Sequence, residues 1–342
     1  MKTPSNFNRK AIFTRSIIFF ILISLFSCES GEEPYYPGSL PVIPVNLEAF
    51  NSEYDDFNSA APTSGWLIPF CFSTNRNSQG ENFDIIYQPM NVNFTKSTGI
   101  LNVTNEYSNW GIFREKYDII KDGLDKINTP GDEYGPYLLT YQNNNFEDIE
   151  FLFLYATDSN GPFDINFIWK SDDSDFSEIT PANIVNSEYN DLYPTINNDF
   201  SRMYFCSDRD NGTFNIFYVE LDNNSELIST LSASSYSEVF KETELSGPHE
   251  DKCPFIFGNT LVFTSDRPGG YGGFDLYYSR FTNGKWGAPV NFGPEINSGY
   301  DEYRPVIFDE GVDEMKNMMV FSSNRPGGKG GYDLYFVGVD KY

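Results

Sequence analysis

The sequence predicts an all-β fold: a five-bladed β-propeller built from four-stranded blades. Two sequence motifs each recur five times along the 342 residues, and they alternate in a fixed order. Aromatic residues make up 17% of the chain, whereas long helical patterns are scarce. Repeated units that read as four short strands are typical of propeller blades.

The first motif is Ser-Asp/Asn-Arg, followed after a turn by an aromatic residue and Asp. It is clearest in the fourth and fifth units, at 262–278 and 320–336, where Arg-Pro-Gly-Gly leads into the turn. Weaker copies lie at 72–87, 155–167 and 205–218. Paired glycines suit a turn that needs positive φ. We therefore expect strand b to end at the Arg and strand c to begin at the aromatic-Asp pair.

The second motif has the form Asn-Ser-x-Tyr-Asp and precedes each copy of the first. Its copies begin at Asn51, Asn128, Asn186, Ser246 and Asn297, and the prolines that follow are Pro62, Pro136, Pro194, Pro254 and Pro305. We expect strand a of each blade to follow its proline. Five paired motifs in register predict five blades.

The N-terminal segment is predicted to close the ring. The chain reaches Tyr342 shortly after strand c of the last unit, and residues 43–52 resemble the strand d segment 288–298. A borrowed fourth strand would remove an exposed sheet edge. The longest spacing between units leaves extra residues at about 95–125, which could form a helix or, as the main alternative, a degenerate sixth blade.

The first 28 residues have the layout of a secretory signal. Four basic residues precede an apolar run, Ile17 to Phe26, which is shorter than the roughly 20 residues that span a bilayer. The segment Leu25 to Cys28 resembles the lipobox of bacterial lipoproteins, and that resemblance implies diacylation of Cys28. An ordinary signal peptide with an incidental cysteine is the alternative. We predict a signal peptide over 1–27, a flexible tether over 28–40 and one propeller domain over 41–342.

The acidic residues after Cys28 indicate where the protein is exported. Glu29 to Glu33 resemble the export signal of surface lipoproteins of the Bacteroidetes type. This resemblance implies a lipid-anchored protein of the outer membrane, on the cell surface rather than the periplasmic face. The membrane, reached through Cys28, is then one partner of the protein.

Composition excludes several classes of function. A net charge of −26 disfavours nucleic acid and anionic lipid headgroups as partners. His249 is the only histidine, which leaves little for a zinc site or a His-based triad. We predict no metal and no cofactor. Cys71, Cys206 and Cys253 are expected to be buried apolar side chains, with a Cys206–Cys253 disulfide as the alternative.

The pattern Ser-Asp-Arg-Pro-Gly-Gly-x-Gly-Gly-Phe-Asp-Leu-Tyr, at 265–277, resembles the TolB-type propeller repeat of bacterial envelope proteins, which is similar to a WD repeat. The resemblance implies a propeller in the cell envelope that acts as a platform for protein interactions. It implies no catalytic residue.

Both motifs fall in loops that a propeller places on one face, and this face is the candidate ligand site. Its charged residues are Arg76, Arg209, Arg267, Arg325, Asp56, Asp132, Asp191, Asp251 and Asp301. They are expected either to form ion pairs between blades and turn-capping hydrogen bonds, or to line a charged funnel that receives a ligand at the ring centre. The second unit breaks the pattern, because Ser159 stands where the arginine belongs.

These observations predict a non-catalytic module that binds an envelope protein or a glycan, and not an enzyme. One alternative is a glycan-cleaving enzyme, which would need two or three acids in unlike environments near the axis. Another is a structural accessory subunit of an envelope complex. An evenly paired ring of Arg and Asp would favour the binding module.

The lipid anchor can be tested directly. Expressed in a host with lipoprotein processing and an alkyne-labelled fatty acid, the wild-type protein should incorporate the label. Cys28→Ser should lose it, since no thiol remains at the cleavage site. Label retained in Cys28→Ser would contradict the prediction, and Cys71→Ser serves as the control that should still be labelled.

Overall fold

The computed structural model describes residues 38–61, 67–106, 118–142, 149–171, 174–222, 226–233, 238–311 and 313–341. These residues form five antiparallel sheets arranged as a five-bladed β-propeller, as the repeats predicted. Among the described helices, none has the length and apolar character needed to cross a membrane. The predicted signal peptide and Cys28 lie outside the described residues.

Strands are numbered in chain order, and the innermost strand of each blade comes first in the following lists. Blade one contains β2 (Asp56–Ala60), β3 (Leu67–Thr74), β4 (Asp84–Thr95) and β5 (Ile100–Thr104). Blade two contains β6 (Glu133–Gln142), β7 (Ile149–Thr157), β8 (Asp164–Lys170) and β9 (Thr180–Pro181). Blade three contains β10 (Asp191–Ile196), β11 (Arg202–Asp210), β12 (Thr213–Glu220) and β13 (Val239–Lys241).

Blade four contains β14 (Asp251–Phe257), β15 (Thr260–Ser265) and β16 (Asp275–Thr282). Its outer edge is split into β17 (Lys285–Trp286) and β18 (Val290–Asn291), which both pair with β16. Blade five contains β19 (Glu302–Phe308), β20 (Lys316–Ser323), β21 (Asp333–Asp340) and, from the other end of the chain, β1 (Val45–Asn46).

The N-terminal strand closes the ring, and this prediction is confirmed. Strand β1 pairs with β21 in the register Val45 to Phe336, and the Leu47 amide continues the pairing with a 2.9 Å bond to the Leu334 carbonyl. The five innermost strands each contact the innermost strands of both neighbouring blades. The ring is therefore continuous around one axis.

Every innermost strand carries a bulge at its third residue, where the backbone is left-handed. These residues are Asn58, Gly135, Tyr193, Cys253 and Arg304, with φ between 47° and 59°. The pairing with strand b shifts register at the same place in all five blades. The innermost strands thus begin before the repeated proline, not after it as expected. Proline is tolerated there because a bulge leaves a position without a ladder bond.

Two short helices lie in the blade connections, α1 (Ile120–Ile127) and α2 (Leu227–Leu231). Helix α1 buries Ile120, Leu124 and Ile127 in a cluster with Phe151 and Phe153 of blade two. The long spacing after blade one therefore leads into a helix, and the alternative of a sixth blade is wrong. Residues 107–117 of this connection lie outside the described residues.

The three cysteines behave as small apolar side chains. Cys71, Cys206 and Cys253 are each fully buried and unpaired. This confirms the principal expectation and excludes the Cys206–Cys253 disulfide in this structure.

The closing segment should carry a measurable share of the stability. Leu47 is 2% exposed, so Leu47→Ala should lower the free energy of unfolding by about 3 kcal/mol through lost burial and a cavity. Val45→Ala, on the same segment but 44% exposed, should change it by less than about 0.5 kcal/mol. Urea denaturation measures both. Equal effects of the two variants would contradict the packing of the borrowed strand.

Candidate functional site

Each innermost strand begins with a carboxylate that is 0% exposed. These residues are Asp56, Glu133, Asp191, Asp251 and Glu302. Each accepts backbone and, in four blades, hydroxyl bonds from the turn four residues earlier; Ser187 donates to Asp191 at 2.7 and 2.8 Å from its amide and hydroxyl. The second motif therefore folds its own loop around the acid that follows it.

In four blades the arginine of the first motif neutralises this acid. The Arg–carboxylate distances are 2.5 Å for Arg76–Asp56, Arg209–Asp191 and Arg267–Asp251, and 2.8 Å for Arg325–Glu302. All four pairs lie within one blade, because strand b ends beside the start of strand a. The expected ion pairs between blades are therefore wrong, and Glu302, not Asp301, is the partner of Arg325.

The blades are joined instead by neutral and charged groups that bind main chain. The Asp132 carboxylate accepts the Phe83 amide of blade one at 2.9 Å, and Asp301 accepts the Phe274 amide of blade four at 2.9 Å. Asn297 binds both the amide and the carbonyl of Leu276. Two predicted ligand residues, Asp132 and Asp301, thus connect neighbouring blades.

Aromatic side chains converge around the axis on the loop face, and we call them the aromatic floor. They are the aromatic residues directly before or at the start of strand c, Phe83, Phe163, Phe214, Phe274 and Tyr332, together with Phe57, Tyr134 and Tyr303 of the innermost strands. Ring centroids lie 5.1 Å apart for Tyr134 and Phe163 and 5.5 Å apart for Phe57 and Tyr332. All eight are half-buried, so the floor presents ring surface to the loop side.

Five polar pairs of residues lie around this floor, one pair in each blade. In each pair the backbone amide of the first residue donates to the side chain of the second. The pairs are Asp55/Asn75, Asp132/Asp158, Asn190/Asp208, Glu250/Asp266 and Asp301/Asn324. In blades one, three and five, one member of the pair is an asparagine, whose side chain is a neutral amide. In blade four both are acidic, but Lys252 pairs with Glu250 at 2.8 Å. Blade two alone has two carboxylates that no described lysine or arginine pairs with.

Blade two also contains a buried acid without an arginine. Ser159 replaces the arginine, and Glu133 is bound only by the Thr129 amide and the hydroxyls of Thr129 and Thr157. Burial raises the pKa of Glu133 to about 7, an effect that these three bonds oppose and the nearby charge of Asp84 reinforces. Glu133 is therefore largely protonated below neutral pH. Burial also raises the pKa values of Asp191 and Glu302, but Arg209 and Arg325 oppose that rise, and Glu133 has no such cation.

The loop face holds all nine charged residues that the sequence predicted for it, but the roles differ. Asp56, Asp191 and Asp251 are buried against arginine, so they are closed to a ligand. The sequence did not single out Glu133, Asp158 or the aromatic floor. Asp132 and Glu133 are adjacent, so the sequence does not indicate which of the two is buried. A shift of the strand register by one residue would exchange the side chains that face inward and outward.

Two clefts lie away from this face. One of about 600 Å³ separates blades four and five at the opposite end of the axis, and one of about 760 Å³ runs along β1 at the outer edge. In the first, Asp340 is paired with Lys316, which leaves Glu295 as the other acid; in the second the acid is Glu48. Neither offers an unneutralised carboxylate pair like that of blade two.

Comparison with known proteins yields structures but no sequence family. No protein-family model and no curated protein matches the chain. The catalytic domain of the Coprinopsis cinerea GH62 α-L-arabinofuranosidase superposes with a TM-score of 0.45 and 13% identity, over 89% of this chain and 98% of that chain. The Podospora anserina α-L-arabinofuranosidase gives 0.48 and 11%, over 90% and 97%.

A Bacteroides ovatus protein described as a xyloglucan-locus GH43B gives a TM-score of 0.49 and 12% identity, over 87% of this chain and 55% of that chain. These three structures are of glycoside hydrolases and not of TolB-type proteins, so the expected TolB-type family is wrong. The same finding overturns the predictions that rested on it, a non-catalytic binding module and a chain that is not an enzyme. The repeated Ser-Asp/Asn-Arg motif therefore reflects the construction of a blade and does not identify the TolB-type family.

The buried glutamate predicts a pH-dependent stability. The folded-state pKa of Glu133 lies above its ordinary 4.5, so the folded protein holds the extra proton between those values. The stability that Glu133 contributes is present below about pH 4.5 and is lost as pH rises through about 7. Glu133→Gln should match wild type at pH 4.5 and exceed it by about 2 kcal/mol at pH 8 after allowance for screening.

Urea denaturation from pH 4.5 to 8 measures this difference. The exposed Glu188→Gln is the matched control and should follow wild type at every pH. Parallel curves for wild type and Glu133→Gln would contradict the shifted ionisation.

Proposed function

We propose that this protein hydrolyses glycosidic bonds at the blade-two edge of the aromatic floor, with Asp132 and Asp158 as the acting carboxyl groups. One observation carries the proposal: among five equivalent polar pairs, this one alone consists of two carboxylates with no amide or described cation between them. Glycoside hydrolysis characteristically requires two carboxyl groups at one site.

The surroundings suit a sugar. Tyr134 lies between the acids and the ring cluster: its hydroxyl is 3.4 Å from Asp132, and its ring contacts Phe57, Phe83 and Phe163. Half-buried aromatic rings offer flat apolar surfaces to the C–H face of a sugar ring, and carboxylates accept bonds from its hydroxyls. The site therefore combines a stacking surface with the two reacting groups.

Glu133 acts as a positioning residue beneath this pair. It is 0% exposed, so it does not touch substrate, and Thr129 and Thr157 hold it in place. Below about pH 7 it is largely neutral and adds no third negative charge beside Asp132. Activity should thus fall as pH rises above neutrality, because ionised Glu133 places a buried charge without a counter-charge beneath the pair and disturbs its positioning.

The net charge of the chain and its predicted export restrict the class of substrate. A chain with a net charge of −26 repels uronate-rich and sulfated polymers, so the substrate class is a neutral glycan. As part of the same proposal, the lipid at Cys28 holds the enzyme at the cell surface, where polymeric glycans are accessible.

The test is release of reducing sugar from a panel of neutral polysaccharides and aryl glycosides. Wild type should be active on at least one substrate. Asp132→Asn and Asp158→Asn should each lower kcat/KM at least about 100-fold, since either loss removes one of the two required carboxyl groups.

Asp266→Asn in blade four is the matched control, because it changes the equivalent residue of the other acidic pair and should leave kcat/KM within about twofold of wild type. Thermal melts establish that the variants are folded. Wild type inactive on the whole panel, or Asp132→Asn and Asp158→Asn as active as Asp266→Asn, would overturn the proposal.

A further inference from the structure

Arg304 places an isolated positive charge at the centre of the propeller. It is 0% exposed, and it lies at the bulge of β19 in blade five. One terminal nitrogen donates to the Pro254 carbonyl of blade four at 3.0 Å, and the other donates to the Pro136 carbonyl of blade two at 2.9 Å. Blade two is not adjacent to blade five, so the guanidinium spans the axis.

The other charged and titratable groups around Arg304 do not balance it. In the described part of the chain no carboxylate lies within ion-pair distance of it. Its neighbours are Cys206, Cys253, Tyr137 and Tyr193. Burial raises the pKa of Cys253 to about 12 and that of Tyr193 well above its ordinary value, so both are neutral.

A guanidinium does not lose its proton in proteins, and burial of a charge without a counter-charge is strongly unfavourable. Four arginines of this same chain sit against buried acids, which shows how the fold normally meets this cost. Arg304 therefore requires a negative charge that the described side chains do not supply.

Hydrogen-bonding atoms without partners lie on the two contacting innermost strands β19 and β2. Arg304 Nε has no partner, and the same holds for Asn58 Nδ2, Asn58 Oδ1 and Ser59 Oγ. Asn58 occupies the same bulge position in blade one that Arg304 occupies in blade five, and strands β2 and β19 contact each other. Buried polar groups are nearly always bonded, so several orphans together indicate an occupant.

Blade one departs from the repeat at this place. Blades two to five have proline after the bulge residue, whereas blade one has Ser59, which is 0% exposed. On the loop side, Phe57 and Tyr303 of the aromatic floor immediately precede Asn58 and Arg304 on their strands. The position is thus enclosed, donor-rich and positively charged.

We propose that the axis of the propeller holds a small monoatomic anion of the chloride class, bound by Arg304 with donors from Asn58 and Ser59. A single anion supplies the missing charge and accepts bonds from three orphan donors at once. Water satisfies hydrogen bonds but leaves the charge unbalanced. This inference is independent of the proposed hydrolysis.

The test compares melting temperatures in sodium chloride and sodium gluconate at constant ionic strength. A ligand that binds only the folded state raises the melting temperature saturably, here on the order of 5 °C at saturation. Arg304→Met should lose the chloride response, and Arg202→Met, an arginine in a surface ion pair with Glu220, should retain it. A response that persists in Arg304→Met places the anion elsewhere and overturns the proposal.

Crystals of the wild-type protein grown in sodium bromide give a second readout that does not depend on any variant's folding. An anomalous peak beside Arg304 Nε supports the proposal. An ordered water at that place without an anomalous peak overturns the proposal, whatever the melting data show. Asn58→Leu, which removes one donor and keeps Arg304, should weaken the apparent chloride affinity at least about tenfold, as for one lost bond to a charged group.

Discussion

The structure depends on the buried carboxylate that begins each innermost strand. This side chain holds the preceding loop, through a Ser or Thr hydroxyl in four blades, and holds the end of strand b through Arg in four blades. A buried charge is tolerable only when such partners surround it. Because the carboxylate takes the same place in every blade, the loops of all five blades meet on one face, and the aromatic residues before strand c are brought to the axis.

A repeated scaffold makes its exceptions informative. In blade two, Ser159 in place of arginine leaves Glu133 without a cation. The polar pair of the same blade, Asp132 and Asp158, contains no amide side chain. In blade one, Asn58 and Ser59 leave buried polar atoms without partners, while Arg304 of blade five carries a charge without a counter-charge. Blade construction requires neither departure, and the two proposals rest on these two places.

The two exceptions lie at different depths along one axis. The carboxylates of blade two stand at the rim of the aromatic floor, within reach of a ligand that approaches from the loop face. Arg304 and Asn58 directly follow Tyr303 and Phe57 on their strands, both are 0% exposed, and Arg304 reaches carbonyls of blades two and four. A small anion at that depth would rigidify the floor from beneath by tying blades two, four and five together, as the Arg304 bonds to Pro136 and Pro254 already do.

The sequence by itself determined the number of blades, the closing strand from residues 43–52 and the loop face, because repeated motifs report local strand order and local turns. It also determined that Cys71, Cys206 and Cys253 are buried. It did not determine whether Asp132 or Glu133 is the buried acid, since adjacent acids differ only in the face that the pleat gives them. Whether Arg325 pairs with Asp301 or Glu302, and how Arg304 reaches across to blade two, were decided by tertiary structure alone. The Arg304–Pro136 contact joins residues 168 positions apart, and only closure of the ring brings them together.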